Sequence, residues 1–452
     1  MNRRSRVVSL ALVLLIGGLV MAAVWRLNFL DEAPLDEAMA DAPPPPAELV
    51  ARGAYVARAG NCQGCHTALG GAAYAGGRGV PTPFGTVYAP NLTPDAATGI
   101  GTWSAGAFWR AMHNGRSRDG RLLYPAFPYP NYTRVTREDS DALHAFLRSL
   151  PAMSQTNKPH ELRFPFDQQA ALAVWRALYF RPAQPANDAS RSAEWNRGAY
   201  LVEGLGHCNA CHASRNALGA TASTLDLAGG LIPVQNWYAP SLTSPAEAGV
   251  AAWDTPHIVD LLKTGTASPQ GRRVSVAGPM SEVVLGSTQH LSDADLRAMA
   301  NYLKALPPSA ADERSASVAE TETAAAAAAA ATAAAAADPT PAPADGPDAK
   351  LYARHCAACH GDEGEGVAGI YPALAGNRAV LLRTPANLVH VVLEGGFAPA
   401  TAGNPRPFGM PPFATELRDE QLAQVLTHIR GNWGNRAAAV SALEVGRYRG
   451  WR

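Results

Sequence analysis

The chain has six cysteines, and all six fall into one pattern used three times. The three copies are Cys62-Gln63-Gly64-Cys65-His66, Cys208-Asn209-Ala210-Cys211-His212 and Cys356-Ala357-Ala358-Cys359-His360. Residues three and four apart on a helix share a face, so two thiols and one imidazole address the same flat ligand from a single turn. Cys-x-x-Cys-His is the attachment sequence for c-type haem, in which the thiols bind the vinyl groups and the histidine ligates the iron. A bare Cys-x-x-Cys would equally suit half a zinc site or a redox dithiol, but neither accounts for the histidine that follows every pair. The sequence therefore predicts three covalently bound haem c groups. Cys62, Cys65, Cys208, Cys211, Cys356 and Cys359 would attach them, and His66, His212 and His360 would be the proximal ligands.

The copies are evenly spaced: Cys62 to Cys208 is 146 residues and Cys208 to Cys356 is 148. A chain of 452 residues is long enough for about three domains, and the spacing predicts three of one kind. Lys plus Arg and Asp plus Glu both number 38, so no overall field attracts nucleic acid and charged docking must be local. The 36 prolines fit loop-rich domains in which haem supplies much of the apolar core.

At the N-terminus Arg3, Arg4 and Arg6 precede an apolar run over 7–25, followed by Asp31 and Glu32. The run is about long enough to cross a bilayer, with the arginines inside. Small residues around Met21, Ala22 and Ala23 also permit cleavage, so residues 1–30 read as a retained anchor or a cleaved signal. Either reading exports the rest of the chain to the periplasmic side.

A Pro/Ala-rich tether over 31–48 leads to the first domain at 49–190, the second at 191–312 and the third at 348–436, with a tail at 437–452. In each, a helix is expected before the motif, at 49–59, 194–204 and 348–355. An amphipathic helix closes each, at 138–149, 293–306 and 419–430. A helix before the haem, a helix after it and irregular Gly/Pro-rich chain between is the layout of a cytochrome c domain. The fold class is all-α, in three tandem domains. Tyr88-Ala89-Pro90-Asn91-Leu92-Thr93 recurs as Tyr238-Ala239-Pro240-Ser241-Leu242-Thr243, each followed by a tryptophan, Trp103 or Trp253, so the first two domains read as duplicates. The alanine-rich stretch at 313–347 has no apolar stripe to bury and reads as a linker that lets the third domain move.

Methionine is the usual sixth ligand of iron in cytochromes c. Of eight methionines, Met410 lies in Phe408-Gly409-Met410-Pro411-Pro412 and Met280 in Ala277-Gly278-Pro279-Met280, both ahead of a closing helix. They are the expected distal ligands, whereas Met299 fits the apolar face of its helix. In the first domain, aligning the Pro-rich loops puts Phe127 where Met410 stands. Substitutes there are Met112, His113 and Met153, with Met112 preferred, and a five-coordinate iron is the remaining reading. His207 and His355 are expected to face solvent, and His144, His290 and His428 to be surface or packing residues. Arg78, Trp103, Trp237 and Trp433 are open to a role at the haem propionates or in the core.

The three motifs, the run 88–93, the segments 123–129 and 287–302, Phe408 to Pro412 and the closing Gly431-Asn432-Trp433-Gly434-Asn435 together resemble the triheme cytochrome c subunits of bacterial membrane-bound dehydrogenases, over about 49–435. The resemblance implies a subunit that takes electrons from a periplasmic dehydrogenase partner and passes them to ubiquinone or a terminal oxidase branch. Partners in that family are quinoprotein alcohol dehydrogenases, flavin-dependent sugar and gluconate dehydrogenases, and molybdenum hydroxylases. Alcohol and sugar dehydrogenase subunits often carry methionine where this chain has Phe127, and the phenylalanine version with an N-terminal anchor resembles subunits of the molybdenum enzymes. The expected function is electron transfer, with no substrate chemistry by side chains. Two alternatives stay open: a haem enzyme acting on peroxide or a sulfur oxyanion at an open first haem, and a freely diffusing carrier.

Overall fold

The computed structural model describes residues 3–29, 45–184, 187–222, 226–269, 274–307 and 346–449. The expected linker at 313–347 and most of the tether at 31–48 lie outside them. The described chain is mostly helical, with one three-stranded and three two-stranded sheets.

Each motif is preceded by a helix, as the sequence predicts: Ala47–Ala59, Ala193–Ala199 and Pro347–His355. The second of these continues as a wider π-helical turn, Tyr200–Leu205, up to the motif. The closing helices are Arg137–Arg148, Asp293–Lys304 and Asp419–Gly431. Thr136 and Ser292 start the first two by accepting the amides of Asp139 and Asp295 at 3.2 and 3.1 Å, so each helix begins on a satisfied N-cap.

In the first two segments the leading and closing helices cross at a glycine. A Cβ on Gly53 would lie 1.9 Å from the Ala142 carbonyl oxygen, and one on Gly198 would lie 2.1 Å from that of Ala298. Only glycine lets the two backbones meet at that distance. Beside each crossing an arginine on the leading helix grips a largely buried aspartate on the closing one: Arg52 with Asp139 and Arg197 with Asp295, both at 2.8 Å. In the third segment Asp348 of the leading helix instead meets His428, near the end of the closing one, at 3.3 Å.

Between these helices lies a third, Ala105–Asn114, Thr255–Thr264 or Ala386–Glu394. Each stops at a glycine with positive φ, Gly115 at 59°, Gly265 at 77° and Gly395 at 66°. The chain then folds back antiparallel, pairing Arg116 with Leu122, Thr266 with Ser275 and Gly396 with Met410. The first segment adds strands Gly79–Thr82 and Gly85–Tyr88, the latter also pairing with Glu161–Leu162.

The chain divides into two compact units, one of Met1–Ala57, Cys65–Ala186 and Ala217–Ala220, the other of Arg58–Gly64, Asn187–Asn216 and Thr221–Arg452. The second unit holds both the second and the third motif segments. The freedom expected for the third segment meets direct contacts there: Tyr238 and Asn387 exchange two hydrogen bonds, Trp237 stacks on His390 with ring centroids 5.0 Å apart, and Arg378 donates to the Gly249 carbonyl at 3.0 Å.

Within the first unit, the N-terminal helix Arg3–Phe29 carries an apolar stretch, Val8–Phe29, of mean hydropathy 2.5 that is unburied over most of its length. Its last turn is tied down. Asn28, 4% exposed, donates to the Ala173 carbonyl at 3.0 Å and accepts from Arg176 at 2.9 Å. Arg176 itself is buried, and it spends a further bond on the Asn114 carbonyl at 2.7 Å.

Candidate haem sites

Each Cys-x-x-Cys-His lies on one short helical turn, Cys62–Cys65, Asn209–His212 or Ala357–His360 with its flanking residues. In the second and third copies the histidine amide bonds the first cysteine's carbonyl, at 2.9 Å from His212 to Cys208 and 3.0 Å from His360 to Cys356. Thiols and imidazole are thereby placed on one side of the turn, as the spacing predicts.

Around each histidine the same three-part arrangement recurs. The imidazole Nδ1 lies 2.9 Å from the Pro90 carbonyl oxygen for His66, 2.8 Å from that of Pro240 for His212, and 3.0 Å from that of Pro372 for His360. A carbonyl only accepts, so Nδ1 carries the proton and Nε2 presents its lone pair. A glycine amide in turn donates to each histidine's own carbonyl: Gly76 to His66 at 2.9 Å, Gly229 to His212 at 2.8 Å and Gly366 to His360 at 2.7 Å. All three glycines have positive φ, at 78°, 80° and 69°. A Cβ on them would fall 2.5 Å from the Pro90 carbonyl carbon, 2.6 Å from the Ser241 amide and 2.6 Å from the Tyr371 carbonyl oxygen. The glycine therefore lets the proline strand close on the histidine.

Sequence reading missed these prolines and glycines. The repeated run 88–93 was visible, yet its purpose is a main-chain acceptor, which any residue could supply. Asn91 and Ser241 complete it by folding the next turn: the Asn91 side chain accepts from the Thr93 amide at 2.9 Å, and the Ser241 hydroxyl from the Ser244 amide at 2.9 Å.

The electrostatics agree with haem ligation. Burial holds His66, His212 and His360 below the ordinary histidine range, with the proline carbonyl opposing it, so the rings are neutral donors at neutral pH. Burial pushes the Cys208 thiol up to about 12 and the Cys356 thiol up to about 11. A redox dithiol needs the opposite shift, toward thiolate. An imidazole with Nδ1 fixed by a carbonyl, two thiols on the same turn and a glycine-closed wall form a donor set that fits haem c.

Met410 is half-buried on the return strand, paired with Gly396 and packed against the cluster that includes Val392 and Phe413. Met280 is half-buried in the first turn of the helix Pro279–Gly286. Met112 is buried in the middle helix, three residues before Gly115. The same place before Gly265 and Gly395 holds Leu262 and Val392, both buried, so this is a core position in all three segments. Met299 is buried on its closing helix as expected. Met153 is exposed, and its carbonyl accepts from the Asn91 amide side chain at 2.7 Å, which ties it to the loop behind His66.

Two histidines differ from expectation. His207 and His355 do not face solvent: both are half-buried, burial lowers the His207 pKa, and His355 lies 3.6 Å from Glu416 with its ring edge-on to Phe413. His144 and His428 are packing residues and His290 is exposed. Trp237 packs on His390, and Trp433 on Tyr352 with centroids 4.8 Å apart.

These sites define a c-type cytochrome, and comparison with known proteins agrees. The cytochrome c family model matches residues 50–151 and 349–433. The chain is 37% identical over 410 residues to the cytochrome c subunit of the quinone-dependent alcohol dehydrogenase of Gluconobacter oxydans, covering 89% of this chain and 82% of that one. It is 36% identical over 409 residues to the gluconate 2-dehydrogenase cytochrome c subunit of Pantoea cypripedii, covering 88% of each. A nicotinate dehydrogenase subunit of Pseudomonas putida is 39% identical over 389 residues, 85% of this chain but 30% of that longer protein. The chain belongs to the family of dehydrogenase cytochrome c subunits, whose cytochrome c domains carry covalently bound haem c.

Proposed function

We propose that this chain is a triheme electron-transfer subunit, with cytochrome c domains at 49–190, 191–312 and 348–436. The observation that carries the count of three is the histidine, glycine and proline arrangement, present around His212 as well as around His66 and His360. Haem c supplies a reversible one-electron ferric/ferrous couple when bound. The protein's part is to hold it: Cys62 and Cys65, Cys208 and Cys211, and Cys356 and Cys359 attach the porphyrin. His66, His212 and His360 offer Nε2, and Met280 and Met410 are the distal ligands of the second and third sites. Met112, preferred from sequence for the first site, sits at a core position that argues for packing instead.

Electrons come from a dehydrogenase partner, as the names of the relatives indicate, and leave to ubiquinone or another respiratory acceptor. A quinoprotein, a flavoprotein and a molybdenum enzyme all suit this role. The helix Arg3–Phe29 tethers the protein to the periplasmic face of the inner membrane. Its apolar, unburied length and the docking of Asn28 against Arg176 support a retained anchor.

Purification from native membranes in mild detergent, with mass spectrometry of what accompanies the chain, tests this reading. A stoichiometric dehydrogenase partner is expected, and the partner's substrate should then reduce the haems. A chain that comes away alone and stays oxidised with every candidate substrate would refute it.

A further inference from the structure

The return strands fix a common register across the first two segments. The Leu123 amide bonds the Gly115 carbonyl at 2.8 Å, and the Val276 amide bonds the Gly265 carbonyl at 2.9 Å. Four residues beyond Leu123 stands Phe127, and four beyond Val276 stands Met280. Phe127 thus shares its register with Met280. Met410, paired with Gly396, has the register of Leu122, paired with Arg116. The first segment therefore carries hydrocarbon at both positions where the other segments carry methionine.

Among the described residues of the domain at 49–190 the methionines are Met112 and Met153. Met112 occupies the core position of Leu262 and Val392, and Met153 is tied by its carbonyl to Asn91, next to the proline that bonds His66. Of the nearby histidines, His113 stacks on Trp109 at 4.6 Å with Nδ1 toward Thr133, and His144 packs against Phe108 at 5.3 Å. His144 Nε2 is buried without a hydrogen-bond partner, and His160 stands edge-on to Tyr124 at 5.2 Å with Nδ1 accepting from the Tyr88 amide, so both imidazoles are weighed in the test.

We propose that the haem attached at Cys62 and Cys65 has no sulfur ligand on its distal side and keeps a coordination position open to a small neutral π-accepting molecule, such as carbon monoxide or nitric oxide. Leu122 and Phe127 offer neither charge nor a hydrogen-bond donor, which favours a neutral ligand over an anion. The inference rests on the three-haem reading, and an intact-mass haem count on the same sample separates a missing haem from a six-coordinate one.

The test uses the full-length protein in detergent. Carbon monoxide is titrated into the dithionite-reduced protein, and the near-infrared sulfur-to-iron charge-transfer band is measured in the oxidised one. The expected result is one carbon monoxide per three haems and a near-infrared intensity of two sulfur-ligated haems. Phe127→Met should abolish carbon monoxide uptake and raise that intensity by half, while Met112→Leu should change neither. No uptake by the wild-type protein would overturn the inference, whether His144, His160 or Met112 fills the position. Loss of a third of the near-infrared intensity in Met112→Leu would overturn it as well.

Discussion

Tyr238 and Asn387 hold each other by two hydrogen bonds, the Tyr238 amide donating to Asn387 Oδ1 at 2.8 Å and Asn387 Nδ2 donating to the Tyr238 carbonyl at 2.7 Å. One amide side chain satisfies both main-chain groups of a residue 149 positions away. Two residues further along, the Pro240 carbonyl bonds His212. The loop behind His212 is therefore clamped directly to the middle helix of the third segment.

Asn387→Ala should remove both bonds and lower stability by about 1–3 kcal/mol, since each is worth about 0.5–1.5 kcal/mol net. Hydrogen exchange would report it as faster exchange at the Tyr238 amide.

Gly229→Ala should disturb the second haem site more than Pro240→Ala does. The added Cβ meets the Ser241 amide at 2.6 Å on a backbone with φ 80°, a strain of about 1–3 kcal/mol, whereas alanine at 240 keeps the carbonyl that His212 uses. Losing that bond makes the imidazole a weaker donor, so the second haem's potential should rise in Gly229→Ala and hold in Pro240→Ala. Spectroelectrochemical titration of the two variants reads the difference.

Gly198→Ala is expected to open the helix crossing of the second segment, because its Cβ would lie 2.1 Å from the Ala298 carbonyl oxygen. Overpacking of this kind costs about 1–3 kcal/mol or more. A lowered urea midpoint with an unchanged haem count would match this; an unaltered midpoint would not.

Burial, with Arg148 adding to it, lowers the His144 pKa from 6.5 to about 4. The folded state resists protonation that the unfolded chain accepts, so this contribution is complete above about pH 6.5 and is lost as pH falls toward 4. The difference reaches about 3 kcal/mol. His144→Asn, which keeps a donor for the Trp103 carbonyl, should flatten the pH dependence of urea stability between pH 6.5 and 4.

Much of this was legible in the chain. The leading and closing helices appear within a few residues of where periodicity puts them, because their apolar stripes and Thr136 or Ser292 caps are local signals. The proline and glycine partners of the histidines were not legible. Gly76, Gly229 and Gly366 follow their histidines by 10, 17 and 6 residues, so no fixed spacing marks them, and a main-chain acceptor leaves no side-chain signature. The clamp between Tyr238 and Asn387 joins segments far apart in sequence, which composition and periodicity do not reach. His207 and His355 were placed in solvent by their position before the motifs, and neighbouring elements such as Phe413 cover them instead.

The intact mass of the native chain, with peptide mapping of its cysteines, tests the central claim most directly. Three haem adducts, one each on the peptides containing Cys62, Cys208 and Cys356, are the predicted result. Two adducts with Cys208 and Cys211 unmodified would contradict the account, because the histidine, glycine and proline arrangement around His212 would then have no haem to hold.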